Sequence, residues 1–438
     1  MISPCWYYCR VLGICIQAPH FFLPIIAGFA CLVAPQADKQ TFTVVGRRAD
    51  FKTIVDDVPL YYAYVDRPEK PWKSWAERYR AAVDSAATPA EFAAVVESAL
   101  AELHDFHAEV RFDNPKRWLP VPTCADMWAD LRPDGAMITS VREGGDAQRG
   151  GLQPGDRITA IGSDSMSVAI AKRLTPAVDN LNPKSRTWAM LTLLTGQWAT
   201  ARQFTVVNKQ GETRSVTLPS DHQYRTEKGA LSWKLLPGNF GYIRFNNSLG
   251  DMKTVAAFDD ALAHLRSTLG LVMDLRDVPS GGGDTIALGI LGRFASKMLP
   301  YQVYRYPHYG QVDIERNSVD YVAPRGPFTY KAPLVVLVDH WTGSMGEGMA
   351  IGIDGMHRGL VIGTPMAHLA GAVTDLHLPN TGVDIAIPTM QINHVNGTPR
   401  QDWLPPMLIR DALDNDYLVT NIAVPKLISL IKATKKKG

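Results

Sequence analysis

Cysteine is nearly absent from the body of this chain. Of the five cysteines in 438 residues, Cys5, Cys9, Cys15 and Cys31 fall within the first 31 positions, which leaves Cys124 alone beyond them. Without the N-terminal segment no internal disulfide can form, and neither a thiolate metal site nor a dithiol redox pair has the ligands it needs. Cys124 sits at an expected domain junction without a recognisable partner and reads as a buried structural thiol. Excess charge is equally scarce. Lys and Arg total 45 against 43 Asp and Glu, a formal net charge of +2, too small to hold a nucleic acid. The one dense basic run, 432–437, reads as a solvated tail. There is no internal repeat and no low-complexity tract.

A long hydrophobic run is also missing. The nearest approach, residues 21–33, is too short to span a bilayer as a helix but suits the apolar region of a secretory leader. It follows Arg10 and precedes Ala34-Pro35-Gln36-Ala37, so residues 1–37 are expected to be a signal peptide and the mature protein periplasmic or extracellular. An uncleaved N-terminal membrane anchor, or a start codon set too far upstream, is the alternative. Gly28-Phe29-Ala30 makes a poor lipobox before Cys31, and lipidation is not expected.

What remains is ample: 46% hydrophobic and 20% charged residues over this length can bury two or three ordinary cores. Residues 41–118 read as mainly helical. Thr88-Pro89-Ala90-Glu91 is a capping box with Pro at the first helical position, followed by Phe92, Val95, Val96, Ala99, Leu100 and Leu103 at helical spacing. Residues 108–112 then look extended. Across 120–220 short strands and turns take over, and Gly151-Leu152-Gln153-Pro154-Gly155-Asp156 leads into an alternating strand, with 167–174 as a flanking helix. This stretch resembles the PDZ signature, which implies a small, mainly β domain that binds peptide tails by strand addition. Over 225–425 extended and amphipathic segments alternate: 241–245, 255–267, 270–275, 285–294, 334–338, 347–353 and 360–363. Such alternation predicts βαβ units with largely parallel strands. Residues 426–438 are left as a basic tail.

Two turns in this last region carry chemistry. The apolar strand 335–338 ends in Asp339-His340-Trp341-Thr342-Gly343-Ser344-Met345-Gly346-Glu347, a small-residue turn that presents a serine at a helix start. Free N–H groups and the helix dipole there can stabilise an oxyanion, although a Gly-Ser before a helix is more commonly only a cap. The strand 270–275 ends in Arg276-Asp277-Val278-Pro279-Ser280-Gly281-Gly282-Gly283-Asp284, whose consecutive glycines admit close backbone approach by a phosphate or an oxyanion. No Walker lysine follows, so a nucleotide is not expected.

Taken together and in this order, the Asp-Leu-Arg…Gly-Gly turn, the Gly-Ser-x-x-Glu turn and the upstream PDZ-like insert resemble the tail-specific, or C-terminal-processing, serine peptidases. The resemblance covers most of 62–406. It implies an α/β fold with a ClpP/crotonase-like peptidase core, an N-terminal helical region and a PDZ-like domain. It also implies Ser344 as nucleophile, with an oxyanion hole from the N–H groups of Met345 and of Gly282 or Gly283.

One branch of that family supplies a lysine base shortly after the serine, but no lysine occurs here between Ser344 and Lys426. The other branch, similar to the tricorn core, uses a histidine in a Leu-x-Asp-Gly-His motif. Leu103-His104-Asp105-Phe106-His107 matches it apart from Phe106, which makes His107 the expected general base and His368 the runner-up. The glutamate that the family places near the end of the core is missing. Arg400 stands at its position, followed by Gln401 and Asp402, and Asp402 is the expected orienting acid. Glu347, one helical turn after Ser344, reads as supporting structure. Arg276 is expected to pair with Asp274 or Asp277.

The resemblance implies peptide-bond hydrolysis through an acyl-enzyme, on protein or peptide substrates such as C-terminal tails, without metal, cofactor or nucleotide. Two other readings stay open. A catalytically silent PDZ-bearing adaptor is suggested by the missing lysine, the bulky Phe106 and the missing glutamate. A crotonase-like acyl-transfer enzyme acting on thioesters shares the oxyanion hole, but a coenzyme ester has no use for strand addition.

Overall fold

The computed structural model describes residues 42–64, 74–174, 183–219, 229–307, 315–409 and 415–435. The expected leader, 1–37, lies outside them. Three helices open the described chain: Val44–Tyr61, Trp75–Ser85 and Pro89–Ala101. The last forms as its sequence dictates, with the Thr88 side chain accepting from the Glu91 N–H and Glu91 reaching back to the Ala87 N–H. Its face of Phe92, Val96, Ala99 and Leu100 is buried against Ile54 and Val58 of the first helix and against Leu378, Val383 and Ile385 of a sheet much later in the chain. The helical region therefore shares its core with the C-terminal half.

Six strands make the central sheet, in the order Met407–Leu408, Leu360–Gly363, Leu334–Val338, Leu271–Asp274, Phe240–Phe245 and Leu231–Leu236. The first five run parallel and the last pairs antiparallel at the edge. Every residue of Leu271–Asp274 and of Leu334–Val338 is buried, as both-face burial of a parallel strand requires. Helices Lys253–His264, Asp284–Leu291 and Met345–Gly355 contribute to the core on one face. Residues 418–431 cover the other, where Leu427 and its neighbours pack on Val335, Leu337 and Ile362. The basic C-terminal run is thus not a free tail as far as it is described. Helix Val424–Lys435 buries Leu427 and turns Lys426 and Lys432 outward.

A second, antiparallel sheet is built from Glu109–Val110, Val383–Asn393, Leu299–Tyr306, Arg316–Val322 and Ala372–Leu378. The segment just after Leu103 and His107 enters it as a strand, with Glu109 paired to Ala386. A third sheet, Met127–Arg132, Gly135–Val141, Arg157–Ile161, Arg202–Val207 and Thr213–Leu218 with the short Asp164–Ser165, is flanked by helices Met166–Arg173 and Pro183–Thr195 over its own core.

At the carboxyl end of Leu271–Asp274, Arg276 clamps Asp274 through Nε and one terminal nitrogen at 2.9 and 2.7 Å, and both side chains are buried. Burial alone would raise the Asp274 carboxyl, but the charge and hydrogen bonds of Arg276, with Arg244 and Tyr242, outweigh it and hold it below the usual range. The internal pair expected for Arg276 is this one. Removing one partner of such a pair strands a buried charge, so Asp274→Ala is expected to cost about 3 kcal/mol, against less than about 0.5 kcal/mol for the exposed Asp130→Ala. Urea unfolding followed by circular dichroism measures both, and equal costs would refute the assignment.

Candidate active site

The two chemistry-bearing turns lie side by side at the carboxyl ends of adjacent parallel strands. Thr342 binds them together: its hydroxyl donates to the Leu275 carbonyl at 2.9 Å and accepts from the Asp339 N–H at 3.0 Å. Ser344 is half-buried at the junction of the second turn and helix Met345–Gly355, with φ +48° and ψ −109°. A side chain other than glycine rarely holds that conformation, so the surrounding turn enforces it. Glu347 supplies part of the enforcement by accepting the Ser344 N–H at 2.9 Å. It is the backward half of a capping box, which agrees with the supporting role read from its spacing.

Gly281 shows why the first turn is glycine. It has φ +62°, and a Cβ there would fall 2.3 Å from the Ser344 Cβ and 2.9 Å from both the Ser344 hydroxyl and the Met345 nitrogen. Gly282 is pressed on its other side against the Leu249 carbonyl, which a Cβ would meet at 1.9 Å. The Gly283 N–H donates to that same carbonyl at 3.0 Å. Gly283 is therefore removed from the expected oxyanion donors, because its hydrogen is already spent. The N–H groups of Gly282 and Met345, the other two expected donors, have no acceptor among the described residues.

His107 comes from the connection between helix Pro89–Ala101 and strand Glu109–Val110. Its main-chain N–H donates to Asp105, whose carboxylate also accepts from the buried Tyr62 hydroxyl. The imidazole Nδ1 lies 2.8 Å from the Ala370 carbonyl oxygen. A carbonyl only accepts, so Nδ1 carries the proton and Nε2 presents a lone pair. Burial, and then the nearby Arg400 charge, push the imidazole down to about 4, against the pull of the Ala370 carbonyl and Asp105. No hydrogen bond joins the Ser344 hydroxyl to this ring, a common state of unliganded sites.

Asp402 does not orient His107. It is half-exposed in the turn Arg400–Asp402 and faces Lys184 at 3.5 Å, while the Nδ1 position it was expected to fill is occupied by Ala370. The acceptor is main chain, which no reading of side-chain types could supply. Sequence reasoning also missed Arg400, a buried side chain whose Nη2 donates to the carbonyls of Leu369 and Gly371 at 3.0 and 2.6 Å, on either side of Ala370. Its Nε lies 3.9 Å from Glu347. The available signal was charge complementarity: an arginine stands where an acid was expected, and a glutamate sits one turn into the serine helix. Burial lifts the Glu347 carboxyl to about 7, offset by Arg400 and by the main-chain amides of Ser344, Leu369 and His368.

The three competing histidines are otherwise engaged. His368 holds the Gln401 carbonyl at 2.6 Å through Nδ1, His340 stacks on Trp128 with ring centres 4.8 Å apart, and His104 packs against Trp188. Cys124 is fully buried, as expected of a structural thiol.

Residues 239–403 match the model of peptidase family S41. No curated protein matches the chain. Among solved structures it is similar to a photosystem II D1 C-terminal processing protease, at 18% identity over 84% of this chain and 95% of that one, with a TM-score of 0.50. It is also similar to mature CPAF complexed with lactacystin, at 13% identity over 90% and 98%, with a TM-score of 0.56. At such identities these two structures establish the fold and nothing finer.

Arg400 and Asp402, two residues apart, predict opposite outcomes. Arg400→Met leaves Glu347 buried without its cation and is expected to cost about 3 kcal/mol, whereas Asp402→Ala stays within about 0.5 kcal/mol. Thermal and urea unfolding of the two variants checks this, and a large loss confined to Asp402→Ala would restore it as the structural acid.

Proposed function

We propose, from the match of residues 239–403 to the model of peptidase family S41, that this chain is a serine peptidase with Ser344 as nucleophile and His107 as general base. The observation that carries the reading is the 2.8 Å contact of His107 Nδ1 with the Ala370 carbonyl, which selects the tautomer with a basic Nε2. In this mechanism Nε2 takes the Ser344 hydroxyl proton as the oxygen adds to the scissile carbonyl. The Gly282 and Met345 N–H groups receive the oxyanion. His107 then returns the proton to the departing amine, leaving an ester on Ser344, and repeats the cycle with water to release the acid and restore the hydroxyl.

A carbonyl dipole supports an imidazolium less than a carboxylate does, and Arg400 opposes it. The proposed enzyme is accordingly one that needs its substrate to exclude water and complete the charge environment.

Substrates in this proposal are unfolded protein tails or peptides. The third sheet with helix Met166–Arg173 would serve as the PDZ-like groove, taking a tail by strand addition. Export through the leader at 1–37 remains part of the proposal.

A fluorophosphonate probe is expected to label the wild type, not Ser344→Ala, and His107→Ala slower by roughly a thousandfold. A folded protein that is not labelled, or labelling indifferent to Ser344, would end the enzyme reading in favour of a peptide-binding adaptor. The pH profile gives a further check. Because a base must be unprotonated and His107 is held down at about 4, kcat/KM should stay high as pH falls through 6.5 and decline only near 4. A decline centred at 6.5 would show an imidazole in water, not this one.

A further inference from the structure

A cleft of about 650 Å³ opens between helix Pro89–Ala101, the strand Glu109–Val110 and the third-sheet unit. Phe106 and Ala108, the residues on either side of His107, line it, as do Trp118, Trp188 and Trp198. Most charged groups on its wall are engaged. Arg111 pairs with Glu109 and Asp375, Arg117 with Asp113, and Asp384 faces His377. Asp105 is held by Tyr62 and by the His107 N–H.

Arg173, the last residue of helix Met166–Arg173, differs. Its guanidinium carbon lies over two indoles, 4.5 Å from the Trp118 ring centre and 4.3 Å from that of Trp188. It has no hydrogen-bond acceptor and no carboxylate within salt-bridge distance among the described residues, and its Nε is buried without a partner. Burial lowers it to about 10, and Glu97 is the first of the two groups whose charge acts in the other direction. Glu97 itself accepts the Trp118 N–H at 2.9 Å, and burial raises its carboxyl to about 7.

A guanidinium held against aromatic rings keeps its N–H groups for a ligand, and its edge matches a carboxylate in two parallel hydrogen bonds. The aromatic walls suit an apolar body attached to it, and the volume is that of an ordinary small-ligand site. We propose that this cleft binds a carboxylate-terminated apolar ligand, with Arg173 receiving the carboxylate beside the Trp118 and Trp188 rings. The ligand is the free C-terminus of a peptide or a small aryl or alkyl carboxylic acid, two sources with one chemistry. Neither Ser344 nor His107 lines the cleft, and ligand binding to it is assayed without turnover, so its failure and failure of the peptidase reading are separate results.

The test is calorimetric titration of the full-length Ser344→Ala protein with acetyl-Leu-Phe, its C-terminal amide and phenylacetate. A charge-assisted bidentate contact predicts that the free acid binds at least about tenfold more tightly than the amide. Arg173→Gln is expected to abolish that preference while leaving the amide unchanged. Phenylacetate binding as tightly as the dipeptide acid would identify a small-acid site, and binding of the dipeptide acid alone a peptide-terminus site. Should Arg173→Gln fail to fold, Glu97→Gln decides, because removing the opposing charge strengthens binding of the acid alone. No binding of either acid, equal affinity for acid and amide, or a Glu97→Gln protein in which acid binding is unchanged or weaker overturns the proposal.

Discussion

One buried ion pair, Glu347 with Arg400, ties the two halves of the site together. Glu347 fixes the main chain of Ser344 in its strained turn. Arg400 holds the carbonyls of Leu369 and Gly371 and so sets the direction of Ala370, whose carbonyl accepts the hydrogen bond from His107 Nδ1–H. The serine comes from the central parallel sheet and the histidine from the N-terminal helical region, and these segments are more than two hundred residues apart in sequence. A charge pair removed from water tolerates little displacement of either partner, because an unpaired charge in that position is costly. That intolerance is what transmits alignment from one side to the other.

The turns are also braced from the third-sheet unit. Arg142 donates to Asp277 at 2.9 Å, the Trp341 indole N–H donates to the Ala125 carbonyl at 2.7 Å, and Trp128 stacks flat on His340. Each contact reaches the loops that carry Ser344 or the glycine turn. The unit is therefore seated on the site's scaffold at its core edge, while its flanking helix Met166–Arg173 delivers Arg173 to the cleft beside His107.

Much of this was legible in the sequence because it is periodic or local. Strand Leu334–Val338 reads from an unbroken apolar run, the cap at Thr88 from its neighbours, and the parallel order from alternation. Ser344, His107 and the Gly282 and Met345 amides were named from turn chemistry and family resemblance, and they keep the roles proposed for them here. What could not be read depends on tertiary placement. Gly283 looks equivalent to Gly282 until the Leu249 carbonyl takes its hydrogen. Asp402 looks like the available acid until the chain turns it toward Lys184 and a main-chain carbonyl fills its place. The lysine-rich C-terminus looks like a tail because its buried stripe, centred on Leu427, is narrow.

The central claim is that Ser344 becomes transiently acylated in a site organised by His107 and the Glu347–Arg400 pair. Rapid mixing with an activated p-nitrophenyl ester measures it most directly. The account predicts an initial burst of p-nitrophenol stoichiometric with protein, followed by slower turnover, with the burst absent in Ser344→Ala. A linear release without a burst that persists at the same rate in Ser344→Ala would contradict it.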